Sequence, residues 1–214
     1  MFWQRRFMTN LIKSIKLSDI PNILTLFRIL SIPIIILCLL PQTLFFNWIA
    51  LIFYALACIT DFFDGFLARK LSVESTFGKF FDPIADKILV ISVIFILVVV
   101  NKIDGFLIYP SLIIIIREVL VSGLRESMPK NQPNLNVTKL SKIKTLLQMF
   151  SLAFLIIGED FKLIKGLFFI GQLGLWISSI ITIYTGYVYF KKNFNLFSKW
   201  QKCLESADGV EVEK

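Results

Sequence analysis

The stretch DFFDGFLARKLSVESTFGKFFDPIAD, residues 61–86, closes one apolar run and opens the next, and it carries four aspartates: Asp61, Asp64, Asp82 and Asp86. Residues 45–60 before it and 88–100 after it contain no charged side chain. Each run is long enough for a membrane-spanning helix of about 20 residues, so the carboxylates lie in helices that must enter a bilayer. A carboxylate at a helix centre costs about 2.5–3.5 kcal/mol on insertion scales, and four together cost on the order of 10 kcal/mol before any allowance for depth. No packing role explains that cost.

The whole chain agrees with a bilayer setting. Of its 214 residues 56% are hydrophobic and 18% charged, against about 45–50% and ~25% in soluble domains. The 22 Phe lie in runs with Ile and Leu, and the expected fold class is an all-α integral membrane protein. There is no histidine, which excludes every mechanism built on an imidazole base, ligand or triad. A general base must therefore be a carboxylate or another side chain. The formal net charge of +8 is assigned to loops facing an anionic leaflet, not to nucleic acid.

Outward from the acidic stretch, six transmembrane helices are expected at about 21–40, 45–69, 79–100, 106–124, 143–157 and 166–190. The fifth is short unless it starts inside the polar segment before it. Ahead of them, Trp3, Phe7, Leu11 and Ile15 recur every four residues, with Arg5, Arg6, Lys13 and Lys16 on other faces. That is the pattern of an interfacial amphipathic helix, and with no small-residue cleavage site after it, it is expected to be retained. The expected organisation is a juxtamembrane helix over 1–20, a six-helix domain over 21–190 and an exposed, frayed polar tail over 191–214. Six helices put both termini and the second and fourth loops on one side, with 17 Lys/Arg against 3 on the other. The positive-inside rule makes that side the cytoplasm, at the cytoplasmic (inner) membrane. Arg28, Lys87 and Arg117 remain inside helices. Cys38, Cys58 and Cys203 lack metal or redox spacing and read as packing residues.

At about 1.5 Å per residue, Arg28, Asp61, Asp86 and Arg117 each lie roughly 10–12 Å in from the expected cytoplasmic helix ends. Four helices bring polar groups to one level, which implies one water-accessible cavity open to the cytoplasm. Asp61 and Asp64 share a helix face, as do Gly78, Asp82 and Asp86. Facing carboxylates repel one another unless cations sit between them, and all-oxygen ligands suit hard ions such as Mg²⁺ or Mn²⁺. Gly65 and Ala68 leave room for a bulky ligand beside the backbone, and Arg69 offers a bidentate phosphate donor at the mouth. Together these residues describe phosphoryl chemistry on a metal-bridged diphosphate.

With those residues in place, the stretch resembles the signature of the CDP-alcohol phosphotransferase family, D-x2-D-G-x2-A-R-x8-G-x3-D-x3-D, with every fixed position filled. PNILTLFR at 21–28, FDPIADK at 81–87, REVLVSGLRE at 117–126 and TKLSKIKTLLQM at 138–149 are similar to the branch that forms phosphatidylglycerophosphate. Residues 128–136 match less well and are assigned nothing. The resemblance implies two divalent ions, Mg²⁺ or Mn²⁺, on the diphosphate of a CDP-linked donor. Asp61 and Asp82 would bridge both ions, Asp64 would complete one and Asp86 the other, with Asp86 also the general base. Gly65, Ala68, Arg69 and Ser75 fall at donor-contacting positions, bordered by Asn22 and Thr25; Ser75 serves equally well as a helix cap.

The implied reaction is attack of the primary hydroxyl of glycerol 3-phosphate on the lipid-side phosphorus of CDP-diacylglycerol, giving phosphatidylglycerophosphate and CMP. The acceptor's own phosphate calls for further cations, and Arg117, Lys139 and Lys142 are placed to supply them; the two lysines serve equally well as loop charges on anionic lipid. Glu118 is expected to point away from Arg117 to another partner, and Lys87 either supports an aspartate or snorkels outward. The resemblance also implies a homodimer, for which Gly171 and Gly174 offer small-residue packing. Other acceptors (inositol phosphate, serine or phosphatidylglycerol) share the signature and differ in the acceptor segments. Membrane prenyltransferases also bring aspartates and Mg²⁺ to a diphosphate, but with longer separations and without Gly-x2-Ala-Arg. A divalent-cation transporter would carry acidic residues through the full membrane depth and leave Arg69 without a role.

Overall fold

The computed structural model describes residues 20–71, 76–126, 139–158 and 166–208. The expected interfacial helix, apart from residue 20, lies outside them. Among the described residues the chain is all-helical: α1 Ile20–Leu39, α2 Leu44–Leu71, α3 Thr76–Val99, a 3-10 turn Gly105–Leu107, α4 Ile108–Glu126, α5 Lys139–Ile157 and α6 Leu167–Asp208. Among the described residues three segments are long and apolar enough to cross a membrane, Leu44–Asp61, Gly105–Leu124 and Leu167–Lys191, and Ile23–Leu39 is a shorter apolar helix. The outer surface is that of a membrane protein. Leu37, Phe45, Phe95, Phe106, Phe150 and Ile180 are each at least 60% exposed, an apolar periphery that lipid solvates and water does not.

The first three helices bury residues at steps of three and four, the spacing of a helical face. On α1 the line is Thr25, Arg28, Ile32, Ile35 and Leu39; on α2 it is Asn47, Ala50, Tyr54 and Ala57; on α3 it is Ala85, Leu89, Val93 and Ile96, flanked by Val90, Ile94 and Leu97. These three helices pack on one another through α1. Followed toward one end of the bundle, the lines reach Arg28, Asp61 and Asp86. The other half is built on α6, against which α4 and α5 both lie, and α2 joins the halves by packing on α5. There the Tyr54 hydroxyl donates to the Met149 carbonyl at 3.3 Å.

The breaks lie where the sequence puts them. Gln42 and Asn101 turn the chain with φ of 52° and 57°. Gly158, at φ 73°, ends α5 in the left-handed conformation that favours glycine at a helix C-terminus. Lys102 reaches across from the α3–α4 connection and donates to the Ile156 carbonyl at 2.6 Å, satisfying one of the carbonyls the helix end leaves without an intrahelical partner.

Three expectations change. α5 begins at Lys139, four residues before the expected start, and Lys144, counted among the 17 cytoplasmic basic residues although it falls inside the expected 143–157 helix, has a side chain only 2% exposed. α6 continues past residue 190 to Asp208: residues 187–208 contain no Gly or Pro, and the backbone ladder needs no apolar side chains to continue. The tail expected to fray is helical over that length. Finally, Gly171 and Gly174 pack within the chain. A Cβ on Gly171 would lie 3.1 Å from the Ser151 carbonyl oxygen and 3.2 Å from Leu155 Cγ, and one on Gly174 would collide with Ser151 Oγ. The small residues let α6 approach α5.

Candidate active site

Arg28 is the centre of the described site. Its side chain is 0% exposed, yet its two terminal nitrogens reach carboxylates on two other helices: Nη2 lies 3.3 Å from Asp61 Oδ1 and Nη1 donates to Asp86 Oδ1 at 2.7 Å. A planar guanidinium presents its donors as a fixed fork, and here the two tips end on α2 and α3. The carboxylates offset the cost of burying the cation, which alone would be prohibitive at this depth. Asp61 and Asp86 stay 32% and 41% exposed, so Arg28 holds them from the protein side while their outer sides remain accessible. Thr25 is fully buried one turn before Arg28, and Ser31 Oγ donates to the Arg28 carbonyl at 2.7 Å.

Asp61 and Asp86, two of the four expected acidic residues, are thus brought together. Asp64 follows Asp61 by three positions on α2, and Asp82 precedes Asp86 by four on α3, but their side chains lie outside the described ones. Gly65, Ala68 and Arg69 lie on the last turns of α2 and Asn22 on the first turn of α1, likewise without described side chains, and Ser75 is outside the described residues. Among the described residues no group of three or more His, Cys, Asp or Glu is gathered. The Asp61–Asp86 pair is a hard-oxygen set drawn from two helices, the kind of donor set that can hold a divalent cation.

A second polar cluster joins the other three helices. Glu118 Oε1 on α4 accepts from Lys144 Nζ on α5 and lies 3.4 Å from Arg117 Nη1. Arg117 Nη2 donates to Thr185 Oγ1 on α6 at 3.4 Å. Gly186 lets Arg117 lie along α6, since a Cβ there would come within 3.3 Å of Arg117 Cγ. Of the three expected acceptor residues, Arg117 is in this cluster, Lys142 is exposed, and the Lys139 side chain is not among those described. Glu118 has the other partner expected of it, Lys144, while its carboxylate also stays within 3.4 Å of Arg117 Nη1. Lys87 bonds Ser122 Oγ on α4, a link between helices instead of outward snorkelling.

Lys144 and Arg28 are the residues that sequence reasoning left without a role. The signal for Lys144 was its register: Lys144, Gln148 and Ser151, all buried, recur at steps of four and three, the spacing of one helical face. The signal for Arg28 was its depth, level with Asp61 and Asp86.

The profile of the CDP-alcohol phosphatidyltransferases matches residues 18–184, from the residues before α1 to the last turns of the apolar part of α6. The chain belongs to the CDP-alcohol phosphatidyltransferase family. Within that family it is 44% identical over 174 residues to the CDP-diacylglycerol--glycerol-3-phosphate 3-phosphatidyltransferase of Rickettsia felis, an alignment covering 81% of this chain and 94% of the relative. The enzymes of the same name from Cereibacter sphaeroides and Escherichia coli are each 35% identical, over 209 and 164 residues, covering 81% and 74% of this chain and 95% and 90% of the relatives.

Proposed function

We propose that this family member is a phosphatidyltransferase of phospholipid biosynthesis: it transfers the phosphatidyl group of CDP-diacylglycerol to the primary hydroxyl of sn-glycerol 3-phosphate, giving phosphatidylglycerophosphate and CMP. The observation that carries this reading is the identity to relatives bearing that enzyme name, 44% across 94% of the Rickettsia felis enzyme. The convergence of Asp61 and Asp86 on Arg28 supports it, because the chemistry needs carboxylates from different helices at one point.

On this reading Asp61, Asp64, Asp82 and Asp86 would hold two Mg²⁺ or Mn²⁺ ions, which when bound would neutralise the diphosphate and make CMP a good leaving group. Asp86 takes the proton of the acceptor hydroxyl. Asn22, Thr25, Gly65, Ala68, Arg69 and Ser75 border the donor nucleotide, and the carboxylates orient the reacting groups. Positioning, more than covalent work, is what the protein supplies. Arg117, Lys139 and Lys142 attract the acceptor's phosphate, for which a guanidinium and two ammonium groups are suited donors.

The same reading extends to six membrane crossings, one for each of α1–α6, preceded by an interfacial helix over 1–20, with the catalytic domain over 21–190 and a polar extension over 191–214. Both termini face the cytoplasm at the inner membrane, and the chain works as a homodimer. CMP release by the detergent-purified protein with CDP-diacylglycerol and Mg²⁺ or Mn²⁺ tests the activity, across glycerol 3-phosphate, inositol phosphate, serine and phosphatidylglycerol. Release with glycerol 3-phosphate alone, abolished by a chelator, is the expected result. Release with a different acceptor would overturn the assigned reaction while keeping the metal chemistry, and release unaffected by chelator would remove the metals.

A further inference from the structure

Arg28 stands on the buried face of α1 among residues that would pack well against an aliphatic side chain: Ile32, Ile35 and Leu39 continue its line. A buried ion pair contributes little net stability over an apolar replacement of similar volume, because desolvating the charges offsets their attraction. Stability alone therefore does not account for an arginine here. The guanidinium does something no aliphatic residue can. It ends on Asp61 at 3.3 Å and on Asp86 at 2.7 Å with different nitrogens, fixing carboxylates of two helices relative to each other. It does so from the fully buried side, leaving both acids about one-third exposed or more, at 32% and 41%.

We propose that Arg28 is a positioning residue for the acidic site: its two-ended fork sets the separation and orientation of Asp61 and Asp86, and through them the site's affinity for a divalent ion and its turnover. The inference rests on the reading of these aspartates as metal ligands. Arg28 acts through the carboxylates and not on the acceptor. An ammonium at position 28 would keep the charge but could not end on both acids with separate nitrogens, so charge and geometry are separable by substitution.

The test uses the full-length protein in detergent, with wild type, Arg28→Lys and Arg28→Gln compared in three measurements: Mn²⁺ affinity from the paramagnetic resonance of free Mn²⁺, kcat and KM for glycerol 3-phosphate, and thermal unfolding. Groups that orient metal ligands typically account for about 10–100-fold in affinity or activity. Both variants are accordingly expected to bind Mn²⁺ on the order of tenfold more weakly and to lose about 10–100-fold in kcat. KM for glycerol 3-phosphate should stay within about twofold, and the unfolding temperature of Arg28→Lys should remain close to wild type. Wild-type Mn²⁺ affinity in Arg28→Lys overturns the inference, whatever happens to kcat, because the residue would then not act through the ligands. Failure of both variants to fold would make Arg28 a stability residue and also overturn it. Wild type that binds no Mn²⁺ overturns the metal reading itself, and this inference with it.

Discussion

The Glu118 cluster yields an asymmetric prediction. Glu118 faces two cations, Lys144 in direct contact and Arg117 Nη1 at 3.4 Å. Lys144 is 2% exposed and Glu118 17%, so neither has enough water to replace a lost partner. Removing one member of a buried pair costs about 3–5 kcal/mol, because the remaining charge is left uncompensated. Glu118→Gln leaves both cations without their carboxylate and is expected to cost about that much. Lys144→Met leaves Glu118 still beside Arg117 and fills the space with a flexible side chain of similar length, so it should cost about 1–2 kcal/mol, nearer a lost charged hydrogen bond. The double variant Glu118→Gln/Lys144→Met should be less destabilised than the two singles added together, with a coupling of about 1–3 kcal/mol. The assay is equilibrium unfolding in mild detergent titrated with a denaturing one, followed by circular dichroism. A Lys144→Met cost equal to or above that of Glu118→Gln, or strict additivity, would refute the reasoning.

Asp86→Asn removes the proposed base but keeps the shape; it should still bind CDP-diacylglycerol while CMP release falls by at least on the order of 100-fold. Lys139→Ala should raise the KM for glycerol 3-phosphate by several-fold, roughly 3–10-fold, with a smaller change for the lipid donor; equal effects on both substrates would take Lys139 out of acceptor binding. Gly171→Leu would drive a side chain into the Ser151 carbonyl and Leu155, where even a Cβ lies at 3.1–3.2 Å. It should destabilise the α5–α6 contact by about 1–3 kcal/mol in a thermal unfolding assay.

The acidic stretch at 61–86 was legible because charge in an apolar run is expensive and therefore informative. Depth counted along the helices put Asp61, Asp86 and Arg28 at one level, where the structure joins them. Among the described residues the helical class and most breaks could also be read, since apolar length and turn-forming residues are local properties. The two ends that moved, at Lys139 and after residue 190, are places where helix and apolar run part company. A helix is bounded by its hydrogen bonds, a hydropathy reading by its side chains. Lys144 falls just inside the expected boundary, which is why its charge reads as a loop charge.

Sequence by itself determined that this is a helical membrane protein with carboxylates at one depth on two helices, because insertion energy and helical periodicity depend only on the order of residues. Tertiary structure decided what those charges meet. Arg28 lies 33 positions before Asp61 and 58 before Asp86 in the chain, and no local rule connects them; their meeting follows from α1 packing against both α2 and α3. Glu118 likewise became the partner of Lys144 only where α4, α5 and α6 come together. Gly171 and Gly174, whose spacing suited a contact between two copies, were taken up by α5, since the pattern shows that something approaches closely and only the packing shows what.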